Sequence, residues 1–455
     1  MGNLKYLGVI IDSKLTFRDH IKHVTEKCTK LIFTLSKSAK LTWGLNHAAL
    51  KTIYTGGILP LLLYGAPVWA NIMDSKCYRQ KIARVQRLIN IKIAKAYRTV
   101  SHEALCILTG LTPIHIKIDE AAQLYQKTRE NRYKDQPIDH DKTAKHWLHP
   151  AVKTTVLDDS MTDTSLIQIF TDGSKSEHGV GAGFAILNPG YPTLTRKFRL
   201  HNRCTNNQAE QIAILKSLEY AMSIQLDDKT ATVYTDSQTT LDSLINNRIH
   251  TSLIEEIRRK AHEMENKGWK IRFRWIKGHA GTWGNELADQ LAKEAAANTD
   301  IPTCYNRVPK SVVKSELKAK SVERWQSEWN KTTKGKITKD YFPEVTGRLI
   351  TKINITPNLT TMITGHGNTK TYLHRFKIID SPECPCGHND QTTDHILLEC
   401  TLLNKERDSL ISAVSRTDAW PTDKHKLITK HYKAFTRFTN QISFDKLNAH
   451  NTLMT

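Results

Sequence analysis

The chain has 455 residues, enough for two to four domains with buried cores. Lys and Arg number 66 against 45 Asp and Glu, and the resulting net charge of +21 favours a polyanionic partner such as nucleic acid. The most apolar run, residues 58–70, is too short to cross a bilayer and contains two prolines, so the composition argues against a membrane-spanning protein.

The positive charge is concentrated towards the two ends of the chain. Residues 1–135 contain 22 basic and 9 acidic side chains, and residues 299–455 contain 24 and 16. Residues 165–298 are nearly neutral, with 17 basic and 15 acidic side chains. We therefore expect the two end regions to supply most of the contact with phosphate, in a salt-sensitive way.

The first third of the chain has the pattern of a helical region. Residues 4–11 alternate in the manner of a strand. Lys and Arg line the polar sides of four segments with helical spacing, near residues 17–39, 46–63, 76–98 and 118–134. These basic faces indicate either contact with nucleic acid or an ordinary solvated surface, and the spacing favours neither.

Short strands alternate with helices through the middle of the chain. Strands are predicted near residues 166–171, 180–187, 194–200, 231–235 and 270–276. Helices are predicted near residues 206–225, 237–246, 251–267 and 284–297. This order predicts an α/β fold with a mixed sheet. The predicted organisation is a helical region at 1–135, a linker at 136–164, an α/β domain at 165–298 and a mainly helical tail at 299–455.

Two of the predicted strands end on nearly the same residues. One ends at Asp172 and the other at Asp236, and each Asp follows an aromatic residue and a threonine. In open α/β sheets, ligands bind in the crevice beyond the carboxyl ends of the strands. We therefore expect both carboxylates to face a ligand site.

Two further acids lie on predicted helices. Glu210 is in a first turn beside apolar residues, and Asp289 flanks an apolar stripe of the last helix. Two carboxylates about 4 Å apart repel by roughly 4 kcal/mol at an effective dielectric near 20, so converging acids require a cation. Oxygen ligands suit Mg²⁺ or Mn²⁺. Taken singly, each acid also fits a structural role as a turn, capping or helix-dipole residue.

The ordered segments around these acids, including Lys277-Gly278-His279, make residues 166–298 resemble a ribonuclease H domain. The resemblance implies a mixed five-stranded sheet with flanking helices. It implies that Asp172, Glu210, Asp236 and Asp289 bind two Mg²⁺ ions, with Mn²⁺ as a substitute, and that the RNA strand of an RNA–DNA hybrid is cut.

The same resemblance assigns roles to residues around the carboxylates. The resemblance implies that His279 moves protons or assists product release, whereas the sequence alone slightly favours an ordinary histidine on a surface loop. The implied substrate-binding residues are Gly173, Ser174, Asn206, Asn207 and Ser237. The two asparagines match positions that contact the minor groove, where the 2′-hydroxyl distinguishes RNA from DNA.

The N-terminal region resembles the thumb and connection of non-LTR retrotransposon polymerases of the jockey-like kind. The resemblance rests on Lys5-Tyr6-Leu7-Gly8-Val9 and on the run from Leu59 to Trp69. A polymerase palm of that family carries an aromatic-x-Asp-Asp motif, and neither Asp158-Asp159 nor Asp227-Asp228 fits it. We therefore predict no polymerase activity for this chain by itself.

The tail resembles the C-terminal Cys/His element of the same retrotransposons. Its candidate zinc ligands are Cys384, Cys386, His395 and Cys400, with His388 as a substitute. The alternative is a set of reduced thiols in a small loop. The remaining cysteines are scattered and no charged-then-apolar leader opens the chain, so we expect an intracellular protein without a disulfide framework.

The leading hypothesis is a Mg²⁺-dependent RNA–DNA hybrid endonuclease derived from a retrotransposon polyprotein. The first alternative is a catalytically silent nucleic-acid-binding remnant, whose basic ends hold nucleic acid. The second is a related two-metal fold that acts on DNA. The expected partner in every case is nucleic acid, chiefly RNA–DNA hybrid in the first, while the sequence identifies no protein partner.

Overall fold

The computed structural model describes residues 3–39, 44–129, 137–140, 147–148, 156–157, 167–224 and 229–449. The chain forms two compact units. A helical unit combines residues 1–125 with 317–455, and a central unit comprises residues 126–316. Most of the predicted linker and both Asp-Asp pairs, 158–159 and 227–228, lie outside the described residues. The predicted boundaries at 135, 164 and 298 stay predictions.

The N-terminal part of the helical unit begins with an antiparallel hairpin, β1 (Leu4–Tyr6) and β2 (Val9–Ile11). The helices that follow are α1 (Arg18–Lys37), α2 (His47–Ile53), α3 (Leu59–Leu63), α4 (Ala66–Trp69), α5 (Lys76–Ile93), α6 (His102–Thr109) and α7 (Ile114–Arg129). A π-helical segment, Tyr54–Ile58, joins α2 to α3, and a 3₁₀ turn, Ala70–Asp74, follows α4.

Helix α6 was not among the predicted helices, although the sequence contains signals for both its start and its end. Ser101 caps its start by accepting a hydrogen bond from the Ala104 backbone N–H. Gly110 ends it in the left-handed region at φ 62°. The helix is almost entirely buried, so it lacks the polar face on which an amphipathic pattern depends.

Among the described residues, the central unit contains a seven-stranded sheet, a separate pair of strands and four helices that lie wholly within it. Its strands are β3 (Ile138–Asp139), β4 (Val156–Leu157), β5 (Ile167–Lys175), β6 (Val180–Leu187), β7 (Leu194–Leu200), β8 (Thr230–Thr235), β9 (Lys270–Trp275), β10 (Thr303–Tyr305) and β11 (Val308–Pro309). Its helices are α8 (Asn206–Ala221), α9 (Gln238–Ile245), α10 (Ser252–Asn266) and α11 (Trp283–Ala297).

The strand order in the large sheet is β10-β7-β6-β5-β8-β9-β4. Strands β5, β6 and β7 are antiparallel neighbours, whereas β8 and β9 run parallel to β5. The predicted ribonuclease H-like mixed sheet of five strands is thus confirmed at the centre. The short strands β10 and β4 extend its two edges, and β3 pairs with β11 in a separate two-stranded sheet.

Helix α11 packs on β6 with almost no side chain between the two backbones. A Cβ atom at Gly183 would lie 2.6 Å from the carbonyl oxygen of Ala288, and one at Gly181 would collide with that of Ala292. Ala288 and Ala292 are themselves fully buried. Glycine facing alanine therefore fixes the position of α11, the helix that carries Asp289.

The C-terminal part of the helical unit is formed by ten helices within the described residues. They are α12 (Lys310–Lys331), α13 (Lys336–Tyr341), α14 (Val345–Ile350), α15 (Pro357–Thr364), α16 (Lys370–Arg375), α17 (Thr393–Leu398), α18 (Asn404–Val414), α19 (Lys424–Thr429), α20 (Tyr432–Gln441) and α21 (Phe444–Ala449). The core of this part contains Trp329, Tyr341 and Phe435 and continues into α6 through Leu105.

Among the described residues, no single helix has the length and apolarity needed to cross a bilayer. One bent pair, His47–Leu63 with Ala66–Asp74, meets that criterion only when its two parts are taken together. The buried side chains of this pair, including Leu50, Tyr54 and Trp69, belong to the core of the helical unit.

We predict that Gly183→Ala destabilises the protein by about 1–3 kcal/mol, because the added methyl group must push α11 off the sheet. Urea unfolding measures the change in free energy. The matched control is Gly57→Ala, since Gly57 lies in helical backbone with open space around its Cβ position. Equal stability of the Gly183→Ala variant and the wild type would contradict the close contact.

Candidate active site and metal-ligand clusters

Three carboxylates meet beside the carboxyl end of β8. The predicted strand end at Asp172 is wrong, because β5 stays paired with β6 as far as Lys175. Strands β5 and β8 pair in parallel with Thr171 opposite Thr235, so Asp172 and Asp236 come next on neighbouring chain segments. Glu210 is the fifth residue of α8 and so lies at the start of its second turn, where the helix backbone lies against Gly173, rather than in the predicted first turn. Oxygen atoms of the three carboxylates all lie within 4.8 Å of one another. The structure therefore brings together three of the four predicted metal ligands.

The cluster is largely withdrawn from solvent. Asp172 is 7% exposed and Glu210 is 4% exposed, whereas Asp236 is half-buried. The Oε1 atom of Glu210 accepts a 3.4 Å hydrogen bond from the Asn206 side-chain amide, but its buried Oε2 atom has no hydrogen-bond partner among the described residues. A buried carboxylate oxygen without a donor is costly unless a cation completes it.

The electrostatics point the same way. Burial, and next the charge of Asp236, raise the pKa of Asp172 to about 7. Burial and the charge of Asp172 raise the pKa of Glu210 well above its usual range. Burial also raises the pKa of Asp236, although His279 opposes that shift. The ligand set is entirely oxygen, so the residues fit a hard divalent cation such as Mg²⁺.

Asp289, the fourth predicted ligand, lies beside this cluster rather than in it. Its Oδ2 atom accepts a hydrogen bond of 2.7 Å from the Lys293 ammonium, one helical turn further along α11. Its negative charge nevertheless contributes to the raised pKa of Asp172, after burial and Asp236. Asp289 is therefore at the rim of the site, paired with a lysine.

His279 lies on an exposed loop next to Asp236. Its backbone is in the left-handed region at φ 52°, which is uncommon for a residue other than glycine. The preceding Gly278 passes so close to Asp236 that a Cβ atom there would lie 2.5 Å from Oδ2. The loop thus holds the imidazole near the cluster, while the predicted proton-transfer role of His279 stays a prediction.

The predicted substrate-binding residues surround the carboxylates. Asn206 and Asn207 are exposed in the first turn of α8, between the capping-box residues Thr205 and Gln208. The others lie next to the two aspartates along the chain, Gly173 and Ser174 on β5 and Ser237 after β8. This placement leaves their assignment to substrate a prediction.

Sequence reasoning missed two residues that support the site. The Trp275 indole N–H donates to the backbone oxygen of Asp236 at 3.1 Å. The Asp139 Oδ2 atom accepts a 2.8 Å hydrogen bond from the Gln208 side chain, which fixes the amide of the α8 capping box. Trp275 was identifiable from its place at the end of β9, whereas Asp139 lies in a segment interpreted as a linker.

A second cluster joins the predicted zinc ligands of the tail. Ligand atoms of Cys384, Cys386, His395 and Cys400 all lie within 4.8 Å of one another. The Sγ atoms of Cys384 and Cys400 are 3.7 Å apart, and Cys386 Sγ lies 3.2 Å from His395 Nε2. Two thiolates on one tetrahedral zinc ion would be separated by about 3.8 Å, given Zn–S bonds of about 2.3 Å.

The surroundings of this cluster also fit a metal. The Nδ1 atom of His395 lies 3.3 Å from a carboxylate oxygen of Glu399, which orients Nε2 towards the thiols. Burial raises the pKa of the Cys386 thiol, but hydrogen bonds from the His388 backbone, Cys384 and His395 outweigh it and lower the value to about 6. His388, the predicted substitute ligand, is not part of the cluster.

Comparison with known proteins places these residues in a family context. Residues 164–297 match the RNase H family. The chain is 36% identical over 124 residues to a type-1 retrotransposable element R1 4 Pol polyprotein of Nasonia vitripennis, covering 27% of this chain and 31% of that protein. It is 30% identical over 202 residues to the R1 Pol polyprotein of Popillia japonica, covering 44% of this chain and 77% of that protein.

Human Ribonuclease H1 is 33% identical over 149 residues, covering 30% of this chain and 51% of the human protein. The chain therefore spans about a third of the Nasonia polyprotein and about half of the human enzyme. The central unit therefore contains a ribonuclease H domain.

We predict that the metal-free protein loses stability as the pH rises from about 4 to about 7, because the pKa of Asp172 is raised on folding from 3.8 to about 7. The folded protein holds a proton there that the unfolded chain has already released. Asp172→Asn removes part of this loss. Urea unfolding in EDTA at about pH 4.5 and about pH 8 measures the difference.

The control for this experiment is Asp300→Asn, which changes an exposed carboxylate outside the cluster. We expect it to keep the pH dependence of the wild type. A pH dependence that is the same in the Asp172→Asn variant as in the wild type would show that Asp172 titrates normally.

Proposed function

This chain belongs to the family of type-1 retrotransposable element R1 Pol polyproteins, and from that premise we propose that it is a Mg²⁺-dependent endonuclease that cuts the RNA strand of RNA–DNA hybrids. The observation that carries the proposal is the convergence of the Asp172, Glu210 and Asp236 oxygens within 4.8 Å. The unpartnered Oε2 atom of Glu210 supports it, since a cation would satisfy that oxygen.

The proposed metal ligands divide into two groups by position. Asp172, Glu210 and Asp236 would hold the cations from β5, the second turn of α8 and the end of β8, and Asp289 would complete the set from the rim. When bound, the two ions supply an activated water and stabilise charge on the leaving 3′ oxygen. His279 lies where it can carry a proton to or from the reacting groups beside Asp236.

Selection of the RNA strand is assigned to the start of α8. Asn206 and Asn207 are exposed next to Glu210, and amide groups can both donate to and accept from a 2′-hydroxyl. Gly173, Ser174 and Ser237 lie along the strand ends, where a sugar-phosphate backbone would approach the cations. The basic end regions would add salt-sensitive contacts with phosphate.

The second metal site is proposed to be structural. Zn²⁺ held by Cys384, Cys386, His395 and Cys400 would join α17 to the loop that precedes it, and no open coordination position is needed for that purpose. We also propose that the chain has no polymerase activity by itself, because neither of its Asp-Asp pairs follows the aromatic-x pattern of a palm.

We predict that Asp236→Asn lowers the rate of hybrid cleavage at least about 100-fold, because it removes a charge from the cation site. The measurement is single-turnover cleavage of a labelled RNA–DNA hybrid in Mg²⁺, with EDTA as the metal-free arm. Asp242→Asn is the matched control, since Asp242 is an exposed acid on α9.

The outcomes separate the three hypotheses. Cleavage of the hybrid that depends on Mg²⁺ and on Asp236 supports the endonuclease. Binding without cleavage in wild type and variant would identify the silent nucleic-acid-binding remnant. Equal cleavage of double-stranded DNA would identify the DNA-directed alternative.

We predict that the purified protein contains one equivalent of zinc and that Cys384→Ser removes it, because the serine hydroxyl is a poor substitute for a buried thiolate ligand. Elemental analysis measures the metal, and thermal unfolding should show a lower midpoint for the variant. The control is Cys77→Ser, which changes an exposed cysteine outside the cluster. A wild-type protein free of zinc and unaffected by chelators would contradict the site.

A further inference from the structure

Three aromatic rings form a group at the surface of the helical unit, which we name the aromatic platform: Tyr97, Tyr372 and Phe376. Tyr97 is 39% exposed and Phe376 is 45% exposed, whereas Tyr372 is only 7% exposed. The Tyr372 ring centroid lies 5.8 Å from that of Tyr97 and 5.0 Å from that of Phe376. The buried ring therefore supports two exposed rings on either side of it.

Hydrogen bonds hold the platform in place without covering it. The Tyr97 hydroxyl donates to the Asn368 side-chain oxygen at 2.6 Å. The Tyr372 hydroxyl shares a 2.6 Å hydrogen bond with Thr99, which also bonds His366 Nδ1 at 2.9 Å. Exposed rings that are already ordered lose little conformational entropy when a flat ligand stacks on them.

The platform is surrounded by positive charge. Residues 366–378 contain Lys370, Arg375 and Lys377 and no Asp or Glu. The Arg375 guanidinium lies 5.9 Å from the centre of the Phe376 ring. Arg375 and Lys377 are both exposed, and Arg98 is exposed directly after Tyr97. The charge of Asp445 acts on the Tyr97 hydroxyl. Exposed cations thus adjoin both exposed rings along the chain, Arg98 beside Tyr97 and Arg375 and Lys377 beside Phe376.

This combination selects one kind of partner. Exposed aromatic rings beside Arg and Lys are the means by which proteins bind unpaired bases, with the rings stacking and the cations contacting phosphate. Bases in a duplex are stacked on each other, so their faces are not available to the rings. An acidic protein would satisfy the charges, but it would not supply flat faces for two ordered rings.

We propose that the aromatic platform binds unpaired bases of single-stranded nucleic acid, with Arg375 and Lys377 contacting the adjacent phosphates. The surface lies in the helical unit, on a different part of the chain from the three carboxylates. It gives the segment that contains Tyr372 and Phe376 a role beyond hybrid cleavage.

The test uses the full chain carrying Asp236→Asn, so that bound RNA stays intact if the proposed nuclease is active. Fluorescence anisotropy measures the affinity for fluorescein-labelled oligouridine and oligothymidine of about 20 nucleotides, and for a blunt duplex of equal length. The two single strands distinguish RNA from DNA as the source of the unpaired bases. Binding is read without any cleavage, so failure of the nuclease proposal leaves the result interpretable.

We predict that Phe376→Ala and Tyr97→Ala each weaken single-strand binding by about 5- to 100-fold and leave its salt dependence unchanged. Phe376→Tyr retains binding, because it keeps the ring. Arg375→Ala lowers the slope of log affinity against log salt concentration by about 0.7, the value for one phosphate contact on a single strand.

The matched control is Tyr125→Ala, since Tyr125 is an aromatic residue of the helical unit with a similar exposure of 46%. Thermal unfolding confirms that each variant is folded. The proposal is overturned if Tyr125→Ala weakens binding as much as Phe376→Ala, or if Phe376→Ala weakens duplex and single-strand binding equally. It is also overturned if the parent protein binds neither single strand.

Discussion

The parallel pairing of β5 with β8 is the constraint from which the rest of the site follows. It aligns Phe170 with Tyr234 and Thr171 with Thr235, so Asp172 and Asp236 come next to each other on neighbouring chain segments. The Phe170 and Tyr234 rings, two residues before the aspartates, stack with their centroids 4.8 Å apart. This contact helps to hold the two strands together next to the aspartates. A shift of one residue in this register would turn one of the aspartates to the opposite face of the sheet.

The cost of this arrangement is electrostatic. Three carboxylates are brought together in a place where burial already raises the pKa of each one. The protein holds Glu210 beside the aspartates through the close contact of the α8 backbone with Gly173. Gly173 contributes no side chain to this contact, so no change of rotamer there can let the acids move apart. The burial and mutual repulsion of the carboxylates therefore destabilise the fold locally, in a geometry that suits a cation.

The sequence predicted the elements and residues that carry strong local patterns. The five central strands and the convergence of Asp172, Glu210 and Asp236 follow from strand ends and capping signals close in the chain. The zinc-ligand cluster was likewise predictable, because its Cys and His residues occur within a short stretch of sequence. What these patterns lack is information about distant contacts. The Asp139–Gln208 hydrogen bond joins residues 69 positions apart, and no local signal indicates it.

The edge strands β4 and β10 were missed because two or three residues are too few to establish an alternating pattern. Helix α6 was missed because it is buried on all sides. The pairing of Asp289 with Lys293 was in principle readable, since a spacing of four residues puts both on one helix face. Whether this ion pair keeps Asp289 out of the carboxylate cluster depends on where α11 lies in the fold, and the spacing of residues along the helix does not reveal that.

The core of the helical unit has a consequence for how the molecule is made. It joins Leu105 and Ile107, near one end of the chain, to Trp329 and Phe435, more than two hundred residues later. The central unit lies between them in the sequence as an insertion. During synthesis from the amino end, the insertion can complete its own sheet first, while α6 waits with its apolar surface uncovered. If a ribosome stalled shortly after the ribonuclease H domain, that domain would be folded but the core of the helical unit would be incomplete. The uncovered apolar surface of α6 would then favour aggregation.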